Sequence, residues 1–198
     1  MTCCSNMESV VRQSLRLLPF TLLSGCSMLP FGGTAEPPPP PTCELVADHG
    51  GLRLALQDAR ANWGLPPELG LALLEPPLGR DKRRHVLPYG NAWDEYRIAT
   101  GNWSAETSDL DDAVDFLGWN AARNRELLKL DWSQTQAFYL AYRLGPGAYN
   151  QGVYRGIWLE KEAERVAAQA EIYTRELQQC PDLVQPNRWE WQRLWRWF

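Results

Sequence analysis

Six stretches of this chain carry a helical apolar period, each bounded by Gly, Pro or a capping residue, and no alternating stretch of useful length competes with them. That punctuation predicts an all-α fold of short helices. Leu52 to Trp63 is stopped at Gly64, and Pro66-Pro67 opens Glu68 to Glu75, which Pro76-Pro77 ends. A third helix covers 91–100, with Asn91 as its cap and Gly101 as its stop. Asp109, Asp111 and Asp112 crowd the start of a fourth, where acids favour the helix dipole, and Leu110, Val114, Leu117, Ala121 and Leu128 keep largely to one face. Asp131 is the expected cap of a fifth helix ending near Tyr142. The last, Trp158 to Gln179, repeats Leu159, Ala163, Val166, Ala170, Tyr173 and Leu177 at core spacing.

The first 25 residues are read as a signal rather than as fold. Arg12 and Arg16 precede Leu17-Leu18-Pro19-Phe20-Thr21-Leu22-Leu23, and Ser24-Gly25-Cys26 follows, which is the order of an export signal. Met7 gives it a tidier start than Met1. Leu23-Ser24-Gly25-Cys26 resembles the lipobox of bacterial lipoproteins, in which the cysteine is acylated and becomes the first residue. Ser27 after it points to the outer membrane, with the chain on the periplasmic face. Residues 26–42, with Pro37 to Pro41, read as a Pro-rich tether, because a proline run is a semi-rigid spacer. No apolar run reaches the length of an ordinary membrane helix.

Cysteine arithmetic then leaves two. Cys3 and Cys4 leave with the signal and Cys26 takes the lipid, so Cys43 and Cys180 remain at the two ends of the apparent domain. An exported chain meets an oxidising compartment, and the pair is expected to form a disulfide. Metal binding is the weaker alternative, since His49 and His85 sit at no ligand-like spacing from either cysteine and read as surface or turn residues. Hydrophobic residues at 44% allow a packed core, and a net charge of −4 argues against a nucleic-acid partner, which needs a basic face.

Ala141-Tyr142-Arg143-Leu144-Gly145-Pro146-Gly147-Ala148 resembles a segment of the soluble lytic transglycosylases of the lysozyme-like superfamily. Trp93-Asp94-Glu95-Tyr96, Thr100-Gly101-Asn102-Trp103, Asp112-Ala113-Val114-Asp115-Phe116-Leu117-Gly118-Trp119 and Tyr139-Leu140-Ala141-Tyr142 are similar to a transglycosylase-domain lipoprotein branch, which also has a cysteine at each end of its domain. The resemblance covers residues 43–180. It implies a lysozyme-like helical domain with a cleft, acting on peptidoglycan glycan strands at the β-1,4 bond between N-acetylmuramic acid and N-acetylglucosamine, with no cofactor. One glutamate protonates the leaving oxygen and then, as a base, helps the sugar's own 6-hydroxyl close a 1,6-anhydro ring; ordinary glycosidases use two carboxylates instead. Such a sole acid needs an apolar setting that raises its pKa. Glu75, after Leu71-Ala72-Leu73-Leu74 at a helix end, stands where the resemblance places that residue. Tyr142 is implied to hydrogen-bond near it, and Tyr89-Gly90 to help shape the sugar cleft.

Several residues depart from the family pattern. Pro76 and Pro77 follow Glu75 where the family has Ser and then an aromatic. Tyr89-Gly90 runs almost directly into Asn91-Ala92-Trp93, as if part of a Tyr-Gly-Tyr-Ala-Gln element were deleted, and Arg143-Leu144 replace more polar residues. A shortened wall predicts an open, wet site with weak turnover, in which Glu75 faces a groove also lined by Tyr142. The other reading is a catalytically inactive peptidoglycan-binding or scaffold lipoprotein with Glu75 an ordinary helix-end carboxylate. Gly145, Pro146 and Gly147 read as a turn. Trp93, Trp103 and Trp119 are the indoles at hand for stacking on sugar rings, although their spacing assigns at least two to the core. Asp109, Asp111, Asp112 and Asp115 lack the spacing of a calcium loop and read as helix-start acids. The tail, 181–198, interleaves four tryptophans with Arg188, Arg193 and Arg196; a cover for an apolar groove, a membrane-interface anchor and a partner-binding element all fit it.

Overall fold

The two longest helical patterns become the two longest helices, and the others are arranged on them. The structure, a computed structural model, describes residues 40–74, 86 and 89–185. Along these run α1 (Pro41–Asp48), α2 (Gly50–Trp63), α3 (Pro67–Leu73), α4 (Ala92–Thr100), α5 (Leu110–Leu128), α6 (Thr135–Leu144), α7 (Pro146–Asn150) and α8 (Trp158–Leu177), then a 3-10 turn, Pro181–Leu183. No strand occurs among the described residues, and none of their helices is long and apolar enough to cross a membrane. The fold is all-α, as the punctuation predicts.

α5 is buried on several sides, because α2, α4 and α6 all pack against it. Val114, Leu117 and Ala121 are inside as the stripe requires, and Phe116, Trp119 and Asn120 are buried with them. α2 lies closest: a Cβ on Gly118 would sit 2.5 Å from Cδ1 of Trp63, so only glycine admits that indole. The same seam carries a polar knot. Asp115 accepts hydrogen bonds from Trp63 Nε1 at 2.6 Å and from the Tyr96 hydroxyl at 2.8 Å, tying α2 and α4 to α5. Tyr96 is 0% exposed, and burial, with the Asp115 carboxylate beside it, pushes its phenol well above the ordinary value. Replacing Asp115 with Ala should therefore cost about 3 kcal/mol, since two charge-assisted bonds go and two donors are stranded. Urea unfolding measures it, and a loss under about 1 kcal/mol would show that the knot is solvated rather than structural.

α8 packs against α3 and α6, with Leu159, Ala163, Ala170 and Leu177 buried along one stripe. α1 closes onto its far end. Cys43 and Cys180 form the expected disulfide across 137 residues, with their Cα atoms 6.1 Å apart. Beside it, the Glu176 carboxylate accepts from the Thr42 backbone N–H at 3.0 Å and from the Thr42 hydroxyl. Ordered packing thus begins before Cys43 and continues after Cys180, where Gln57 Nε2 donates to the Leu183 carbonyl at 3.0 Å and Val184 is buried.

Helix ends at Gly64 and Gly101 lie where the sequence places them, both in the left-handed region that glycine tolerates (φ 72° and 70°). Three local readings need correction. Asp131 does not cap α6: its carboxylate is taken by Ser133, through the backbone N–H at 3.0 Å and the hydroxyl at 2.7 Å, and Gln134 stands at the cap position. Gly145-Pro146-Gly147 is more than a turn, because Pro146 opens α7 at the position where a missing N–H is harmless. Asn91 occupies the cap position of α4 but makes no side-chain capping bond. Asp109 does cap α5, accepting from Asp112 N at 3.1 Å, while Asp112 accepts from Asn102 Nδ2 and Glu106 N, so this end of the acidic run is spent on local structure. His49 is exposed between α1 and α2, as expected. Cys26, the tether's proline run before Pro40, His85 and the tryptophans of the tail lie outside the described residues.

Candidate active site

α3 is a seven-residue helix whose Leu69, Leu71 and Leu73 are all buried, with Leu74 extended at its end. It is thereby fixed as a short apolar strut pointing its C-terminal end at α6 and α8. There a groove of about 370 Å³ opens. Ala72 and Leu74 form its end, Tyr139 and Arg143 its α6 wall, and Trp158, Glu162 and Val166 its α8 wall. Each wall follows from spacing, since residues four apart share a helix face. Arg143 is held in place: its Nη1 donates to the Tyr139 hydroxyl at 3.2 Å, and its guanidinium lies 5.7 Å from the centre of that ring. Glu162 meets Arg165 of its own helix.

A larger cavity, about 500 Å³, falls on the other side of α8's buried stripe. Residues 133–137 at the start of α6, the stacked Tyr149 and Tyr154 rings (5.5 Å apart), Glu160 and Glu171 line it. Burial, with Tyr154 adjoining, raises the Tyr149 phenol.

The sequence-derived site residues are distributed as follows. Glu75 lies outside the described residues; Leu74, directly before it in the chain, lines the groove. Tyr142 is 1% exposed and belongs to the core, so its ring does not form an open wall. Tyr89 and Gly90 do not line the groove. Gly90 turns the chain into α4 (φ 49°), and the Tyr89 ring packs against Gly145, where a Cβ would come within 2.4 Å of it. The Tyr89 hydroxyl accepts from Arg123 Nη1 at 3.2 Å, and Arg123 in turn pairs with Glu95 at 2.9 Å and covers the Trp119 ring. The Tyr-Gly and Gly-Pro-Gly elements, 55 residues apart in the chain by their numbering, are thus in contact. Of the three tryptophans offered for stacking, Trp93 and Trp119 join Tyr96 and Phe116 in an aromatic cluster with ring centres 4.9–6.1 Å apart. Trp103 is exposed beneath Arg97 and lines neither cavity. The groove's own indole, Trp158, escapes a search for core spacing because it sits beside the apolar stripe and not on it.

Against family models, the chain matches the transglycosylase SLT domain over residues 77–180. It belongs to that family. The matched span of the SLT domain runs from before α4 to the disulfide at Cys180, and it contains five of the seven groove residues; α3 precedes it. Membership suggests a lytic-transglycosylase-like function and implies peptidoglycan binding. No curated protein and no solved structure matches the chain.

Proposed function

We propose that this SLT domain is a peptidoglycan lytic transglycosylase with Glu75 as its one general acid and base. The observation that carries the reading is the end of α3: a helix buried through Leu69, Leu71 and Leu73, directly ahead of the matched span, delivers the chain to a groove at Leu74, one residue short of Glu75. In this scheme the Glu75 carboxyl gives its proton to the glycosidic oxygen as the C1–O bond breaks, releasing the N-acetylglucosamine 4-hydroxyl. The 6-hydroxyl oxygen of the muramic acid ring then bonds to C1, and its proton passes to the carboxylate, restoring the acid. No water enters the product. Incubating the full chain with purified sacculi and finding 1,6-anhydro muropeptides by mass spectrometry tests it.

A second reading keeps glycan binding without turnover. The Pro76-Pro77 pair directly after Glu75 favours it, since prolines restrict the backbone on which the acid must be aimed. Sedimentation with sacculi in the absence of anhydro product would select it.

The chain is further proposed to be an outer-membrane lipoprotein facing the periplasm, its signal ending at residue 25 and its acyl chains on Cys26. Fatty-acid labelling should be lost in Cys26→Ala, and labelling that survives the change would refute the assignment.

A further inference from the structure

We infer that Trp158 is the sugar-stacking platform of the α3–α6–α8 groove, with Arg143 and Glu162 as the polar pair that fixes the ring lying on it. This rests on the glycan-cleaving reading above and names the residues by which the groove would hold its substrate.

Trp158 is the first residue of α8 and is 66% exposed, the most exposed of the large apolar side chains in the described residues. Tryptophan is seldom left so open, because its ring removes more apolar area from water than any other side chain when buried. Its neighbour Leu159 is 3% exposed and supplies the helix's hold on the core. The fold therefore gains little from Trp158. The groove gains a flat apolar lip.

Two charged side chains stand among the apolar residues around the indole. Glu162 lies one turn further along the same face of α8, and Arg143 faces it from α6. A β-1,4-linked pyranose has the matching chemistry: its axial C–H bonds make an apolar face for the indole, while its hydroxyl and N-acetyl edges need both donors and acceptors. The guanidinium donates, and the carboxylate, one oxygen of which meets Arg165, accepts through its other oxygen. A cavity with an aromatic wall and a few fixed polar groups is the usual form of a small-ligand site, and about 370 Å³ lies within the roughly 300–1,000 Å³ such sites occupy. Trp103, nearly as exposed, has Arg97 over its ring and lines neither of the two cavities described, so exposure alone does not make a platform.

Val153 and Ile157 are also exposed in the loop before α8, which makes a membrane contact the rival use of this corner. The concave, oppositely charged setting favours the glycan.

The experiment uses the full chain carrying Glu75→Gln, so that no glycan is consumed, titrated with the β-1,4-linked N-acetylglucosamine hexamer by calorimetry. Adding Trp158→Ala should raise Kd about tenfold, whereas Trp158→Phe retains most of the affinity. Because the side chain is exposed, the melting temperature should not move. An unchanged Kd in Trp158→Ala overturns the inference and leaves the cleavage reading standing if wild type forms anhydro product. Failure of the parent chain to bind the hexamer, with product still formed from sacculi, also overturns it. Absence of both binding and product ends both readings. Loss of sedimentation with phosphatidylethanolamine–phosphatidylglycerol vesicles, with hexamer affinity intact, makes Trp158 a membrane contact and refutes the platform.

Discussion

Glu75→Gln is expected to cut release of 1,6-anhydro muropeptides from sacculi by about a thousandfold, the middle of the range that a positioned acid–base group contributes. The amide is nearly isosteric with the acid and needs no counter-charge, so neither packing at the end of α3 nor affinity for glycan should change. It can, however, neither give a proton to the glycosidic oxygen nor take one from the 6-hydroxyl, and both halves of the reaction fail together. Sedimentation with sacculi is the control that makes the result specific. Product formation at an unaltered rate would remove Glu75 from the chemistry. So would equal loss of binding and turnover, since that marks a change in ground-state affinity alone.

Reducing the Cys43–Cys180 disulfide is expected to lower stability by about 4 kcal/mol and the melting temperature by about 10–15 °C. The effect is large because the bond closes a loop of 137 residues, restricting the unfolded chain over nearly the whole domain. In the folded state the seam it joins has other support: Glu176 on α8 still accepts from Thr42, and Val46 remains in the core. The reduced protein should therefore keep its helical signal at 20 °C and lose it earlier on heating. Thermal unfolding with and without dithiothreitol, with Cys43→Ser/Cys180→Ser as the reference, reads the difference. A shift below about 2 °C would mean that the unfolded chain is already constrained by residual structure.

Helix stops were legible where a single residue decides them. Gly64 and Gly101 end α2 and α4 because each adopts a positive φ that other residues resist. Helix starts were harder, because several polar residues compete for each. Asp131, Ser133 and Gln134 all can cap, and the local bonds of Asp131 to Ser133 take it out of contention for α6. α1 was hidden by the proline run before it: a chain of five prolines reads as extended, yet its last member, Pro41, is the first helical residue.

Site residues followed the same division. The contact between Tyr89 and Gly145 depends on bringing α4's approach beside α7, which no local pattern encodes. Tyr142 carries a motif, but burial in the core is set by everything around it. Trp158 could have been found by a different question: which large apolar residues of α8 do not fit its core stripe. The spacing Leu159, Ala163, Ala170, Leu177 leaves Trp158 over, and an unexplained tryptophan beside a regular stripe is itself a signal.

With their Cα atoms 6.1 Å apart, Cys43 and Cys180 also bring the chain's way in and its way out of the domain to one place. A pull applied along the backbone from either side arrives at the disulfide and crosses directly between α1 and the end of α8. The helices between those cysteines are bypassed and carry no tension. A domain hung this way can be tugged by whatever holds its ends while the groove between α3, α6 and α8 keeps its shape, so mechanical load and substrate handling are separated by a single covalent bond.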